Sequence, residues 1–216
     1  MLYISFDIGV KNLALCILNQ DNNLIEIIDW RVITLVEKKK DINGLNSISE
    51  ILFYELDNIM GSLEELKYDK IDYVLIENQP SNLNGIMKSI QLLIFSYFSL
   101  LKHWDKLNMN VLLINASLKL QYHTFKPEPL IKIDNTRTKK EQKRDKYRNN
   151  KNDGIEITKY YIKNNENLNT FFTKYKKKDD LADTLLQTVS YIKKNNNLII
   201  EEVSVSHMNL LDGLDN

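Results

Sequence analysis

Apolar positions change their spacing along the chain, and the changes divide it into elements. Leu2–Ile8 and Leu13–Leu18 are near-continuous apolar runs separated by the Gly9-containing turn, and they predict two β-strands. A third strand is predicted over Leu24–Val36, after the polar turn "DNN", so the three form an antiparallel meander. Residues 44–66 then switch period: Ile48, Ile51, Leu52, Leu56, Ile59 and Met60 recur at helical intervals and predict an amphipathic helix. "DYVLIENQP" predicts a short strand, Tyr73–Ile76, ending at Glu77, because Pro80 cannot continue a ladder. Gly85–Lys106 predicts a long, largely buried helix and Asn110–Asn115 another strand. Residues 71–115 therefore form a βαβ unit with parallel strands.

Beyond this point the pattern weakens. Residues 127–150 hold two prolines and then "KIDNTRTKKEQKRDKYRNNKND", which lacks an apolar period and predicts a basic loop or insertion around 127–153. Helices are predicted over Ile155–Asn164 and Asp179–Lys194, with Asp179 as N-cap of the second. The stretch 198–216 fits a helix, a strand or a mobile tail. A three-strand meander, a helix, then alternating strands and helices is the element order of a ribonuclease H-like fold. The expectation is a single α/β domain over 1–216, with a mixed five-stranded sheet flanked by helices.

Composition narrows the class. With 43% hydrophobic and 27% charged residues the chain reads as a soluble globular protein. No apolar run reaches the ~20 residues of a membrane span; the longest, "SIQLLIFSYFSLL", reads as a buried helix. The N-terminus lacks a basic region and a cleavage site, so no secretory signal is expected. Cys16 is the single cysteine, which leaves no disulfide partner within the chain and no cysteine-based zinc site. An intracellular location follows as the expectation.

Net charge is zero, but its distribution is uneven. Lys132–Lys178 carries 15 Lys and Arg against 6 Asp and Glu, so the rest of the chain is acidic by the same excess of nine. A basic segment on an acidic body suits a polyanion partner. On charge alone, a solvated loop fits equally well.

Candidate chemistry sits at element ends. Asp7 interrupts the first strand, Glu77 ends the fourth, and Asp180 and Asp183 open the last helix in "KKKDDLADTLLQTV". Spacing of i and i+3 puts Asp180 and Asp183 on one helix face, and strands one and four are neighbours in the predicted fold. Four clustered carboxylates repel unless a cation neutralises them. Oxygen-only ligation points to Mg²⁺ or Mn²⁺, and two such ions could drive phosphodiester hydrolysis. Each position also has a plain explanation. Asp180 and Asp183 complement a helix dipole, Glu77 could end a strand at the surface, and Asp7 could bond the Gly9 turn.

Together "ISFDIGVKNLA", "VLIENQP", "MKSIQLLIFSYF" and "KKDDLADTLLQ" resemble the poxvirus-type Holliday junction resolvases of the RuvC-like group, which includes mitochondrial resolvases of fungi. The blocks run in family order from residue 4 to residue 187. The resemblance implies a ribonuclease H-like fold and a homodimer that nicks four-way DNA junctions with two Mg²⁺ (or Mn²⁺) ions per site. It implies Asp7, Glu77, Asp180 and Asp183 as metal ligands, and Lys119 and Lys151 as candidate basic residues near the scissile phosphate. Phosphate contacts are expected from Arg137, Lys139, Lys140, Lys143, Arg144, Lys146, Arg148, Lys176, Lys177 and Lys178, with Lys11 and Asn12 also facing DNA. Helix 85–106 carries more apolar surface than one side needs, which makes it the candidate dimer face; an ordinary core helix covering the sheet fits its pattern equally well. His103, His123 and His207 are expected to be structural or surface residues, and Tyr147, Tyr160 and Tyr161 are not required as nucleophiles. The viral likeness implies a replication compartment in the cytoplasm.

Three alternatives compete. "DIGVKN" also resembles the first phosphate loop of the sugar kinase/actin fold, but six glycines and no second such loop argue against it. A non-catalytic junction-binding module would be expected to have lost a carboxylate, and all four positions are acidic. A nuclease of the same fold acting on other branched DNA or on RNA–DNA hybrids is the stronger rival.

Overall fold

The computed structural model describes residues 1–37, 44–68, 70–80, 85–132, 136–196 and 198–205. Its sheet runs β5-β4-β1-β2-β3-β6. β1 (Leu2–Ile8), β2 (Asn12–Asp21) and β3 (Leu24–Thr34) form the antiparallel meander, while β4 (Tyr73–Glu77) pairs in parallel with β1 and β5 (Asn110–Ile114) in parallel with β4. All five expected strands are present in the expected order. A two-residue strand, β6 (Ser204–Val205), adds to the β3 edge, so the open C-terminal stretch contributes a strand at 204–205 after an irregular start. His207 lies outside the described residues.

Strand parity sorts the side chains. Leu2, Ile4, Phe6 and Ile8 of β1 pack with Val74 and Ile76 of β4 against α1 (Leu45–Glu65) and α2 (Gly85–Trp104). The opposite face of the sheet, with Tyr3, Cys16, Leu18, Trp30 and Leu75, is covered by α3 (Lys139–Ile162), α4 (Glu166–Lys174) and α5 (Lys178–Asn196). Because side chains alternate along a strand, Asp7 belongs with Tyr3 and Ser5, and Glu77 with Tyr73 and Leu75. Both carboxylates therefore face α5. α2 is buried on one face only, through Ile90, Gln91, Ile94 and Phe98, and exposes Leu92, Leu100 and Trp104. Among the described residues no helix is long and apolar enough to cross a membrane.

The largest correction concerns 127–153. The basic stretch from Lys139 onward is helical, continuous with the predicted Ile155–Asn164 segment as one helix, α3. Lys, Arg, Gln and Glu are good helix formers. Thr138 and Glu141 close a capping box at its start. The chain before it is clasped onto it: Asn149 exchanges two hydrogen bonds with the Ile131 backbone, at 2.8 and 2.9 Å, and buried Asp145 accepts from Arg137 at 2.6 Å. α4 is a helix that the apolar period did not indicate, and Asn165 caps it. α5 begins at Lys178, so Asp179 lies in its first turn rather than at its cap.

Candidate active site at the ends of β1, β4 and α5

Three chain ends converge on one point. β1 delivers Asp7 just before the Gly9 turn, where a Cβ on residue 9 would stand 2.3 Å from the Asn12 carbonyl oxygen. Only glycine lets the chain double back that closely. In the parallel register Phe6 lies opposite Ile76, which sets Asp7 beside Glu77. α5 brings Asp183 over both strands. Its position is fixed one turn later by buried Gln187, which donates to Ser5 Oγ at 2.9 Å and to the Leu75 carbonyl at 3.2 Å. Trp30 Nε1 adds a hydrogen bond to the Leu181 carbonyl at 2.9 Å.

A cation comes from a fourth element. The chain leaving β5 forms a short 3₁₀ helix, Ala116–Leu120, capped by Asn115, and this presents Lys119. Lys119 Nζ lies 2.5 Å from Asp183 Oδ2 and 3.4 Å from Glu77 Oε2. The electrostatics follow from burial and charge count. Burial, reinforced by the hydrogen bond to Glu77 and by its charge, drives the Asp7 carboxyl well above the ordinary range. For Glu77, burial works against ionisation, but the hydrogen bond from Asp7 and the Lys119 ammonium win and hold it low. Within the pair the negative charge is therefore favoured on Glu77 over Asp7. Asp183 is pushed up to about 6 by burial, against the pull of Lys119. Lys119 stays charged: Asp183, Asp7 and Glu77 outweigh the cost of its burial.

The other expected residues lie further out. Asp180, one turn before Asp183 on α5, is raised by burial and by Asp179 and sits within the field of Lys119. Lys151 is ion-paired to Asp179 and not to Asp180 or Asp183. α3 nevertheless approaches the site closely, since a Cβ on Gly154 would stand 3.7 Å from Asp183 Oδ1. Lys139, Lys140, Lys143, Lys146 and Arg148 are exposed along α3, and Lys176 and Lys177 are exposed before α5. Arg137 and Arg144 face Asp145, and Lys178 donates to the Thr173 carbonyl, so these three already have partners. Lys11 and Asn12 sit half-buried in the β1–β2 turn.

Among the described residues no three Asp, Glu, His or Cys side chains stand close enough together to share a metal ion. The Lys119 ammonium supplies positive charge among them. The donor set nonetheless fits a hard divalent cation. It is all oxygen, half-buried, and holds more carboxylates than its one ammonium balances.

Several supporting residues were not singled out in the sequence. Gln187 stands at i+4 from Asp183, the spacing that shares a helix face, so its signal was present. Gln91 accepts from the Gln79 backbone N–H at 2.6 Å, and Lys88 donates to Gln91 and to the Gln79 carbonyl, together bracing the segment after Glu77. His123 is buried behind Lys119 and bonds its carbonyl.

Comparison with known proteins gives the fold. No family model matches the chain. A fowlpox virus resolvase, solved in complex with Holliday junction DNA, aligns with 90% of this chain and 98% of its own, at 22% identity and TM-score 0.51. The yeast mitochondrial Holliday junction resolvase Ydc2 aligns over 88% of this chain and 78% of its own, at 17% identity and TM-score 0.51. RuvC of T. thermophilus, in complex with a Holliday junction substrate, aligns over 90% and 96%, at 8% identity and TM-score 0.53. An uncharacterized protein of Acanthamoeba polyphaga mimivirus is 35% identical over 129 residues, which cover 57% of this chain and 29% of that protein. The chain therefore spans under a third of the viral relative's length. It has the RuvC-like, ribonuclease H-like fold seen in the solved resolvases.

Proposed function

We propose that this protein is a divalent-metal-dependent DNA endonuclease that resolves four-way junctions. The observation that carries the reading is the meeting of Asp7, Glu77 and Asp183 around Lys119, on a sheet with the fold of known junction resolvases. In this reading Asp7, Glu77 and Asp183 hold the metal, with Asp180 as a further ligand from the same helix face. Bound Mg²⁺ or Mn²⁺ would supply an activated water and stabilise the leaving oxygen. The chain's own groups do the rest. The Lys119 ammonium is fixed where a scissile phosphate can accept from it, offsetting the charge that develops on the phosphate. Gln187 and the Gly9 turn keep Asp183 and Asp7 in register. The exposed lysines and Arg148 of α3 hold flanking phosphates without reading bases. Two such sites in a two-fold dimer, joined through the outer face of α2, would nick opposing strands of a two-fold symmetric junction.

The test is purified protein on a synthetic four-way junction, a linear duplex and an RNA–DNA hybrid, each with Mg²⁺ or with EDTA. Paired symmetric nicks in the junction, dependent on Mg²⁺, and junction affinity that falls steeply with salt are the expected result. Preferential cutting of the hybrid would overturn the substrate, and cutting that persists in EDTA would overturn the chemistry.

A further inference from the structure

Lys119 is held from behind. The 3₁₀ helix that carries it is five residues long, and three-residue hydrogen bonding alone is a weak constraint on so short a piece. Its outer side, however, meets a buried chain of hydrogen bonds. Lys193 Nζ donates to Tyr161 Oη at 3.3 Å, and Tyr161 lies 2.9 Å from His123 Nδ1. His123 Nε2 lies 2.8 Å from the Lys119 carbonyl. That carbonyl can only accept, so Nε2 carries the proton and Nδ1 accepts from Tyr161. All donors then run in one direction and end on the backbone of Lys119. Ser190 of α5 stands 3.0 Å from the same Nε2 and donates to the Gln121 carbonyl at 2.9 Å, so the 3₁₀ helix is gripped at two carbonyls. His123 is 4% exposed and Tyr161 1%. Burial also keeps the imidazole neutral, lowering its pKa to about 4.

We infer that His123 is a positioning residue for Lys119, setting the backbone from which the ammonium reaches Asp183 and Glu77. The inference deepens the nuclease reading and rests on it for its kinetic consequence, but its structural claim stands alone. Ring burial against α5 satisfies the packing of the core in any event. What the hydrogen-bond chain adds is direction: the Lys119 carbonyl can only accept and so fixes the Nε2–H tautomer, and Tyr161, itself accepting from Lys193, supplies the donor that Nδ1 then needs. Tyr161→Phe keeps the ring packing and leaves the buried Nδ1 without its donor, which loosens the ring behind the Lys119 carbonyl, so it tests the claim without opening a cavity.

Amide hydrogen exchange on the full-length chain, with no metal or DNA added, is the first readout. In Tyr161→Phe and in His123→Leu, exchange at Leu118 and Gln121 rises at least about tenfold, while protection across the centres of β1, β2 and α5 holds. Unchanged exchange at these two amides, or an equal rise throughout α3 and α5, would overturn the inference. The second readout is single-turnover cleavage of a four-way junction. Each variant lowers the rate about tenfold with junction affinity in EDTA unchanged, and adds nothing further in a Lys119→Met background. A full multiplicative loss in that background would mean that His123 acts other than through Lys119. If the wild-type protein cuts no junction, the nuclease reading fails, and the exchange measurement still decides the role of His123.

Discussion

Helix α5 carries two polar clusters about two turns apart, built on opposite rules. Around Ser190 and Lys193, His123 and Tyr161 are neutral, each N–H or O–H has an acceptor, and the chain ends on a carbonyl. Around Asp183, three carboxylates face one ammonium, with Asp7 raised and Glu77 held low. The first arrangement is what a fold uses to fix a backbone. The second keeps charge that stability alone would remove, which is what makes it the candidate site. The difference separates a satisfied cluster from an unbalanced one within a single helix.

Removing the uncompensated charge gives the largest effect. Asp7→Asn is expected to lower junction cleavage by about 10²–10³ or more, the scale for a group that acts on the transition state, with junction affinity in EDTA retained. The same change raises the thermal midpoint at neutral pH without metal, because it replaces a buried carboxyl that resists ionisation; parallel cleavage and melting measurements check both.

Removing the cation has the opposite sign for stability. Lys119→Met leaves Glu77 and Asp183 without their ammonium and costs about 3 kcal/mol at pH 8, the order for breaking a buried pair. A denaturant midpoint is expected to fall accordingly, and to recover toward pH 5 as the carboxylates take up protons.

The smallest effect is a pH dependence that distinguishes the clusters. His123 has a depressed pKa, so its contribution is present above the ordinary histidine range and is lost as pH falls toward 4, by up to about 3 kcal/mol. Asp7 and Asp183 have raised values, so their contribution is present at low pH and is lost as pH rises through them. The destabilisation by His123→Leu therefore shrinks between pH 7.5 and 4.5, and so does the stabilisation by Asp7→Asn. Melting curves across that range are expected to converge on wild type from opposite sides.

Much of the frame was legible because burial leaves a period. β1 to β5 announce themselves by apolar runs and alternation, and the same parity sets Asp7 and Glu77 on one face. The N-terminal half of α3 shows no apolar stripe because the residues it buries there, Asp145 and Asn149, are polar. The local signal was there, since Thr138 and Glu141 have capping-box spacing. Lys119 came from resemblance, and its place between Asp183 and Glu77 needed the fold. Lys151 could not be located from sequence, because its partner Asp179 is set by how α3 crosses α5. His123 carries no sequence signal at all: a lone histidine after a short helix becomes informative only once Tyr161 and the Lys119 carbonyl are seen on either side of it.

The clasp between Asn149 and Ile131, with the Asp145–Arg137 pair beside it, has a thermodynamic consequence for the basic surface. A flexible basic loop gives up about 1–2 kcal/mol of backbone conformational entropy for each residue that a partner orders. Here that freedom is surrendered during folding, and residues 139–151 meet a partner already helical. Under the proposed function, docking of a polyanion on this face would be a rigid-body event driven by counterion release, and calorimetry would show none of the large heat-capacity change that marks folding coupled to binding.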